Sequence, residues 1–415
     1  VSLEYNKIIH DIERMGRYLA YRDRDEILAK AVKLFKTKAG ERDFVQARIR
    51  AVRESDVSGY RGAAMLAQGG GDAVLNERHK LSTVPSQAVI IAADGSQIYP
   101  SQDASALYYL LNIATLTYYH GYNMTPEPFT QPEMFYTDAY LLDEHKQLIS
   151  NRTVNSRRTM REIRLLAQQA RRFAQQGVEH LIALHDGNLL KFFADSDVTD
   201  SNTLIQEYMA LLHDLRENQT TFAGYIDNPR SSYWISLLHL LDLEDHQITD
   251  MYLHNNGDLE GLTDLDLFEE ILKPGQRTSL IVQNSPTNYD YKRVSPDYEI
   301  AAFYINTSST AQAHIARVDV PMWVARHPAL IDALHALLIA QCRIQGIRPY
   351  PYVLTRADEL AYVGGIDREN VEQLLWRELL KNNRIKQRGR SAKADSKDFA
   401  RETTRQDHRL GGEMK

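Results

Sequence analysis

Apolar residues recur along this chain with two periods, and the switches between them divide it into stretches. From the start to about residue 80 the spacing is helical, through Ile8, Ile9, Ile12, Met15 and Leu19 and then Ile27, Leu28, Val32 and Phe35. Gly69-Gly70-Gly71 closes this stretch; lacking the Lys-Ser or Lys-Thr of a phosphate-binding loop, it reads as a linker. Short apolar runs then predict strands at Val89-Ile90-Ile91-Ala92-Ala93, from Leu107 to Tyr119 and from Met134 to Leu142. A helix follows over about 155–176, where Ile163, Leu166, Ala167, Ala170, Phe173 and Ala174 stand three and four apart and Gly177 is the stop. Leu181-Ile182-Ala183-Leu184-His185 predicts the next strand. Beyond it the pattern predicts helices over 203–215 and 233–241 and strands over 222–226, 279–283, 300–305 and 314–320. The last third is helical again, through Leu330, Leu334, Leu337, Leu338 and Gln341-Cys342, and Tyr350-Pro351-Tyr352 leads rigidly into a helix holding Ala357-Asp358-Glu359.

Composition narrows the class. At 415 residues, 43% hydrophobic and 25% charged, the chain has the make-up of a globular protein with one large core or two. No apolar run reaches the roughly 18 residues of a membrane helix. Val1-Ser2-Leu3-Glu4-Tyr5 lacks the pattern of a secretory signal. The single cysteine, Cys342, excludes an internal disulfide and a thiolate zinc site, which fits a reducing cytoplasm. A net charge of −6 argues against coating nucleic acid by bulk attraction, yet Lys and Arg crowd residues 381–415, including Arg384, Lys386, Arg388 and Arg390. Such a tail holds too few apolar residues to fold alone, and phosphate contact demands no fixed structure. The expected organisation is a helical arm over 1–80, an α/β domain over 84–380 and a basic, disordered tail over 381–415. No nucleotide-binding motif occurs, so ATP-driven work falls to another protein.

The candidate chemistry lies in two Asp-Gly pairs. Asp94-Gly95-Ser96 and Asp186-Gly187 each close a buried-type run, which puts both aspartates at strand carboxyl ends. Asp-Gly is also a favoured turn dipeptide. The helix between them carries Glu162 beside Ile163, with Arg157, Arg158, Arg161 and Arg164 available to pair with it. Two strand-end aspartates flanking a helix with a glutamate, in the order three strands, helix, strand, is the arrangement of the RNase H-like superfamily, an α/β mixed-sheet core with flanking helices. The histidines, His120, His180, His185 and His239 among them, show no pair at zinc-helix spacing. Strand alternation turns His185 to the face opposite Asp186. Tyr99, Tyr225 and Tyr350 are candidates for stacking on bases, and Arg230, Lys292 and Arg293 for phosphate contacts. Asp319 reads as a charge contact or turn residue.

At this point the chain resembles the NurA nuclease family. The resemblance is carried by Asp94-Gly95-Ser96, Asp186-Gly187-Asn188-Leu189, Phe222-Ala223-Gly224-Tyr225-Ile226, Arg317-Val318-Asp319-Val320-Pro321-Met322-Trp323 and Tyr350-Pro351-Tyr352-Val353-Leu354 with Ala357-Asp358, in order over about 88–365. It implies an RNase H-like DNA nuclease, exonuclease and single-strand endonuclease, forming a ring-shaped dimer around DNA. It further implies use of Mn²⁺ or Mg²⁺ and docking on the hexameric HerA translocating ATPase for end resection. Many members carry a histidine where this chain has Asp358, which is still a hard-metal ligand. On this resemblance Asp94 is the bridging ligand, Asp186 and Glu162 complete one metal site, and Asp358 serves the other. Mg²⁺ and Mn²⁺ prefer oxygen ligands, and holding a pair of them requires several carboxylates. Three alternatives stand beside this reading: a non-catalytic DNA clamp for a translocase, the nuclease subunit of a phage-defence complex, and a phosphatase with Asp94 as nucleophile. The last would want a second Asp where Ser96 stands.

Overall fold

The computed structural model describes residues 5–20, 24–54, 59–66, 74–102, 104–191, 198–346 and 348–382. Gly69-Gly70-Gly71 and the basic segment beyond Asn382 lie outside the described residues. The chain begins with three helices, α1 (Ile9–Ala20), α2 (Arg24–Thr37) and α3 (Arg42–Glu54). Then come strands β1 (Ala88–Ile98), β2 (Tyr109–His120) and β3 (Glu127–Phe135), helix α4 (Asn151–Ala174), β4 (Leu181–Asp186), α5 (Ser201–Glu217) and β5 (Thr221–Asp227). Helices α6 (Tyr233–Asp242) and α7 (Asp264–Ile271) lead to β6 (Ile281–Gln283), α8 (Pro286–Val294), β7 (Ile300–Asn306) and β8 (Ile315–Pro321). Helices α9 (Pro328–Ile344), α10 (Tyr352–Ala361) and α11 (Gly365–Lys381) complete the described chain.

The described strands belong to one 11-stranded mixed sheet with the order β6-β7-β8-β5-β4-β1-β2-β3, extended past β6 by Ala63–Ala64, while Arg277–Thr278 pairs with β7 and with Arg78–His79 off this path. β1, β2 and β3 form an antiparallel meander, and β4 and β5 add in parallel on the other side of β1. Three strands, a crossover helix and two parallel strands are the RNase H-like core expected from the order of the apolar runs.

Alternation along the central strands builds two layers. Val89, Ile91, Leu181 and Ala183 face α4 and α5, meeting Ile163, Leu166, Ala170, Phe173, Leu204 and Tyr208. Ile90, Ala92, Ile182 and Leu184 face the opposite layer with Leu334, Val353, Leu354 and Ala357 from α9 and α10. Because these central strands are covered on both faces, they are apolar throughout. Helix α4 forms because its apolar stripe matches this surface, Ser150 caps it by accepting the Thr153 amide at 3.1 Å, and Gly177 ends it with a φ of 74°. Truncating a fully buried stripe residue such as Leu166 to Ala would cost about 2–5 kcal/mol. Helices α2 and α3 pack against α6 and α7 in another cluster centred on Phe35, Trp234 and Phe268.

One strand departs from the sequence reading. The third strand runs over Glu127–Phe135, and the segment expected as strand instead holds a short helix at Asp138–Leu141. β3 is an edge strand that is largely exposed and contains Pro128 and Pro132, so it carries none of the apolar signal that marks an interior strand. Helix α11 was not legible either: none of its residues is buried. No helix among the described residues is long and apolar enough to cross a membrane.

Candidate active site

The register places the two aspartates. β1 and β4 are parallel, with Ala93 opposite His185, so the next residues, Asp94 and Asp186, come level at the same end of the sheet and on the same face. That is the face covered by α10, and Asp358 on this helix adds a third carboxylate. Asp94 is half-buried while Asp186 and Asp358 are exposed. Glu162 arrives from the opposite layer: it is 3% exposed on α4 and reaches the strand at Gly95, where a Cβ would stand 2.7 Å from its Oε1. Gly95 does not make a turn. It pairs with Ile113 of β2 and β1 continues to Ile98, so Asp94, expected at a strand's carboxyl end, lies inside the strand, and the space of the side chain that Gly95 lacks is the one Glu162 enters.

Burial first, and neighbouring carboxylates second, hold protons on three members of this cluster. Burial raises the Asp94 carboxyl, the amide of Gly95 at 2.7 Å opposes it, and repulsion from Asp186 and Asp358 raises it further. Burial raises Glu162, Arg158 opposes, and Asp94 and Asp186 add to the rise. Asp186 is raised by desolvation of its carboxyl and by Asp358 and Asp227, against a hydrogen bond from Tyr350. Arg158, one helical turn from Glu162, puts Nε 3.0 Å from Oε1, but the pair is not aligned as a hydrogen bond and both atoms lack such a partner. The other guanidinium arm donates to Gln97 Oε1 at 2.9 Å, tying α4 to the tip of β1. Arg157, Arg161 and Arg164 pair elsewhere, with Asp200, Glu133 and Glu207.

Other site residues went unassigned in the sequence. Tyr350, expected as a stacking residue, directs its hydroxyl to Asp186 and rests edge-on against Tyr225, with ring centroids 5.3 Å apart. His185 does turn to the face opposite Asp186, but that face holds Glu162, whose Oε2 lies 3.8 Å from its Nδ1. Asp227, at the end of β5, adds a fifth negative charge near Asp186 and pairs with His314 Nε2 at 2.7 Å. The structure does not gather the basic candidates here. Arg230 is exposed beyond β5, Lys292 pairs with Glu299 at 2.9 Å and Arg293 with Asp290 at 3.2 Å. Asp319 is the charge contact expected: Arg317 Nε donates to it at 2.9 Å and the Leu189 amide at 3.2 Å. Ser96 Oγ accepts the Val363 amide at 3.0 Å and so ties β1 to the segment after α10.

The donor set suits a hard divalent cation: only carboxylate oxygens, one of them buried without a hydrogen-bond partner, and mutual repulsion that a cation would relieve. Among the described residues no three of His, Cys, Asp and Glu already converge as a ready-made coordination site, so a bound ion would have to draw these side chains inward.

The fold and cluster define an RNase H-like α/β protein with an acidic site where β4 ends beside Asp94 of β1. The family model of the NurA domain matches residues 88–363, and the chain belongs to the NurA nuclease family. Among solved structures, the NurA nuclease from Sulfolobus solfataricus is similar at 14% identity and a TM-score of 0.44, over 86% of this chain and 99% of that one. A NurA bound to dAMP and manganese is similar at 11% identity and a TM-score of 0.37, over 87% of this chain and 94% of that one. The catalytic domain of human Endonuclease V aligns at 12% identity and a TM-score of 0.29, over 80% of this chain and 98% of that one. No curated protein matches the chain significantly in sequence.

Proposed function

We propose that this chain is a metal-dependent DNA nuclease that hydrolyses phosphodiester bonds with Mn²⁺ or Mg²⁺ held by Asp94, Glu162, Asp186 and Asp358. The observation that supports the reading is the placement of Asp94 and Asp186 level on adjacent parallel strands, with Glu162 approaching from the helix on one face of the sheet and Asp358 carried by the helix on the other. A DNA clamp gains nothing from acidic groups crowded against a polyanion. When bound, a pair of divalent ions supplies an activated water and stabilises the leaving oxygen. The chain's own residues prepare the site: Tyr350 orients Asp186, Arg158 steadies Glu162, and Gly95 lets α4 approach β1.

DNA end resection in company with a HerA-like hexameric ATPase is the setting we infer from family membership, with a homodimer enclosing the DNA. Exposed apolar residues on α1 (Ile9, Ile12, Met15) and α11 (Ile366, Leu374, Trp376, Leu380) support self-association, since such faces seldom stay uncovered. Incubating the purified chain with end-labelled linear DNA, with and without Mn²⁺, tests the activity. Manganese-dependent shortening is expected. Intact DNA with either metal would favour the clamp. Light scattering should report about twice the 47.6 kDa chain mass, and processive digestion of long duplexes should require the ATPase and ATP.

A further inference from the structure

Beside the carboxylates sit two groups that the reaction above does not use. His185 is 2% exposed, its Nε2 lies 2.7 Å from Lys191 Nζ, and its Nδ1 faces Glu162. An ammonium offers three donors and no acceptor, so the nitrogen it approaches must be bare and the single proton of a neutral imidazole must reside on Nδ1. That is the nitrogen turned to Glu162 Oε2, which stands 3.8 Å away, and it has no other hydrogen-bond partner. The opposite tautomer would point a lone pair at the carboxylate.

The fold fixes Lys191 in place. Its amide donates to the Tyr291 hydroxyl at 2.9 Å, and that hydroxyl donates back to the Lys191 carbonyl at 2.8 Å. Two residues earlier, the Leu189 carbonyl accepts from Tyr208 at 2.7 Å while its amide donates to Asp319. Both tyrosines are buried and their rings meet at 5.8 Å. These contacts fix the backbone from which the Lys191 side chain reaches His185.

We propose that Lys191 is a positioning residue that fixes His185 as the Nδ1–H tautomer, and that His185 in turn orients the Glu162 carboxylate for a divalent ion. The inference rests on the nuclease reading and adds to it the device that aims its least accessible ligand, a role known for histidine and carboxylate partners around metals generally.

Nitrogen NMR of the metal-free full-length chain, labelled with ¹⁵N-histidine and assigned with His185→Gln, reads the tautomer directly. The wild type should show a proton on Nδ1 and a bare Nε2, and Lys191→Met should lose this preference. In parallel, Mn²⁺ affinity is measured from the EPR signal of the free ion for His185→Phe and His185→Gln, neither of which adds a charge. Phe should weaken binding by roughly ten- to a hundredfold, whereas Gln, with a carbonyl for Lys191 and an amide for Glu162, should stay within about threefold. A wild-type proton on Nε2, or a folded His185→Phe chain with wild-type affinity, overturns the proposal. A wild-type chain that binds no Mn²⁺ overturns the nuclease reading as well, so the two failures are told apart.

Discussion

Asp94-Gly95 and Asp186-Gly187 stand level on adjacent central strands, yet their glycines serve opposite needs. Gly95 stays in an extended strand, and what matters is the volume it leaves empty, since a Cβ would press on Glu162 Oε1 and Ile113 Cδ1 at 2.7 Å and on Arg158 Cγ at 2.8 Å. Gly187 has a φ of 115°, a backbone that side chains disfavour, and its surroundings are open, with His185 Nε2 the nearest atom at 3.8 Å. One glycine admits a helix to the site; the other turns the chain away from it. Two sites with the same dipeptide thus divide the labour of building one cluster, and only the aspartates are equivalent.

The largest effect should come from what the two corners share. Asp94→Asn and Asp186→Asn should each reduce Mn²⁺-dependent DNA cleavage by roughly a thousandfold or more while leaving the circular dichroism unchanged. Cleavage near the wild-type rate by either variant would remove that aspartate from the site.

The glycines should then separate the corners. Gly95→Ala should lower stability by about 1–3 kcal/mol through overpacking, and it should slow cleavage by roughly ten- to a hundredfold because Glu162 is displaced. Gly187→Ala should cost a similar ~1–3 kcal/mol from backbone strain but lose less rate. Adding Glu162→Asp to Gly95→Ala, which withdraws the carboxylate from the new methyl group, should restore part of the stability; additive penalties in denaturant titrations would refute the packing account.

A smaller effect lies in pH. Folding raises Asp94 from 3.8 to about 6 and Glu162 from 4.5 to about 7. The folded, metal-free chain therefore holds these protons more tightly than the unfolded one. This contribution to stability is present below the ordinary carboxylate values, is lost as pH rises through about 6 and 7, and then levels off. Subtracting the melting curve of Glu162→Gln from that of the wild type across this range should isolate the Glu162 share, and Mn²⁺ should reverse the trend by favouring the ionised carboxylates. A flat difference would show that Glu162 is not desolvated in the folded chain. Smallest of all, Arg230→Ala should weaken DNA binding equally for all sequences and reduce the salt slope by about 1; an unchanged slope would exclude a phosphate contact.

What could be read from the chain alone was whatever is buried on both sides. The runs ending at Asp94 and Asp186 and the stripe on α4 are continuous in sequence, and they sufficed for the RNase H-like order of elements. The edge strand β3 was misplaced because exposure erases its pattern, and α11 was missed for the same reason. Glu162 was legible as a helical acid beside an apolar stripe, but its approach to β1 depends on a glycine that reads locally as a turn. Tyr350 and Lys191 were beyond reach, because their partners, Asp186 and His185, are brought to them only by tertiary packing. His185 shows the limit most plainly: alternation predicted its direction correctly, and only the placement of α4 reveals that this direction leads to Glu162.

Anomalous diffraction at the manganese edge, from crystals of the full chain soaked in Mn²⁺, tests the central claim most directly. The account predicts a peak between Asp94 and Asp186, with Glu162 and Asp358 turned toward the bound manganese. Strong anomalous peaks elsewhere, with these four carboxylates unmoved and unliganded, would contradict it.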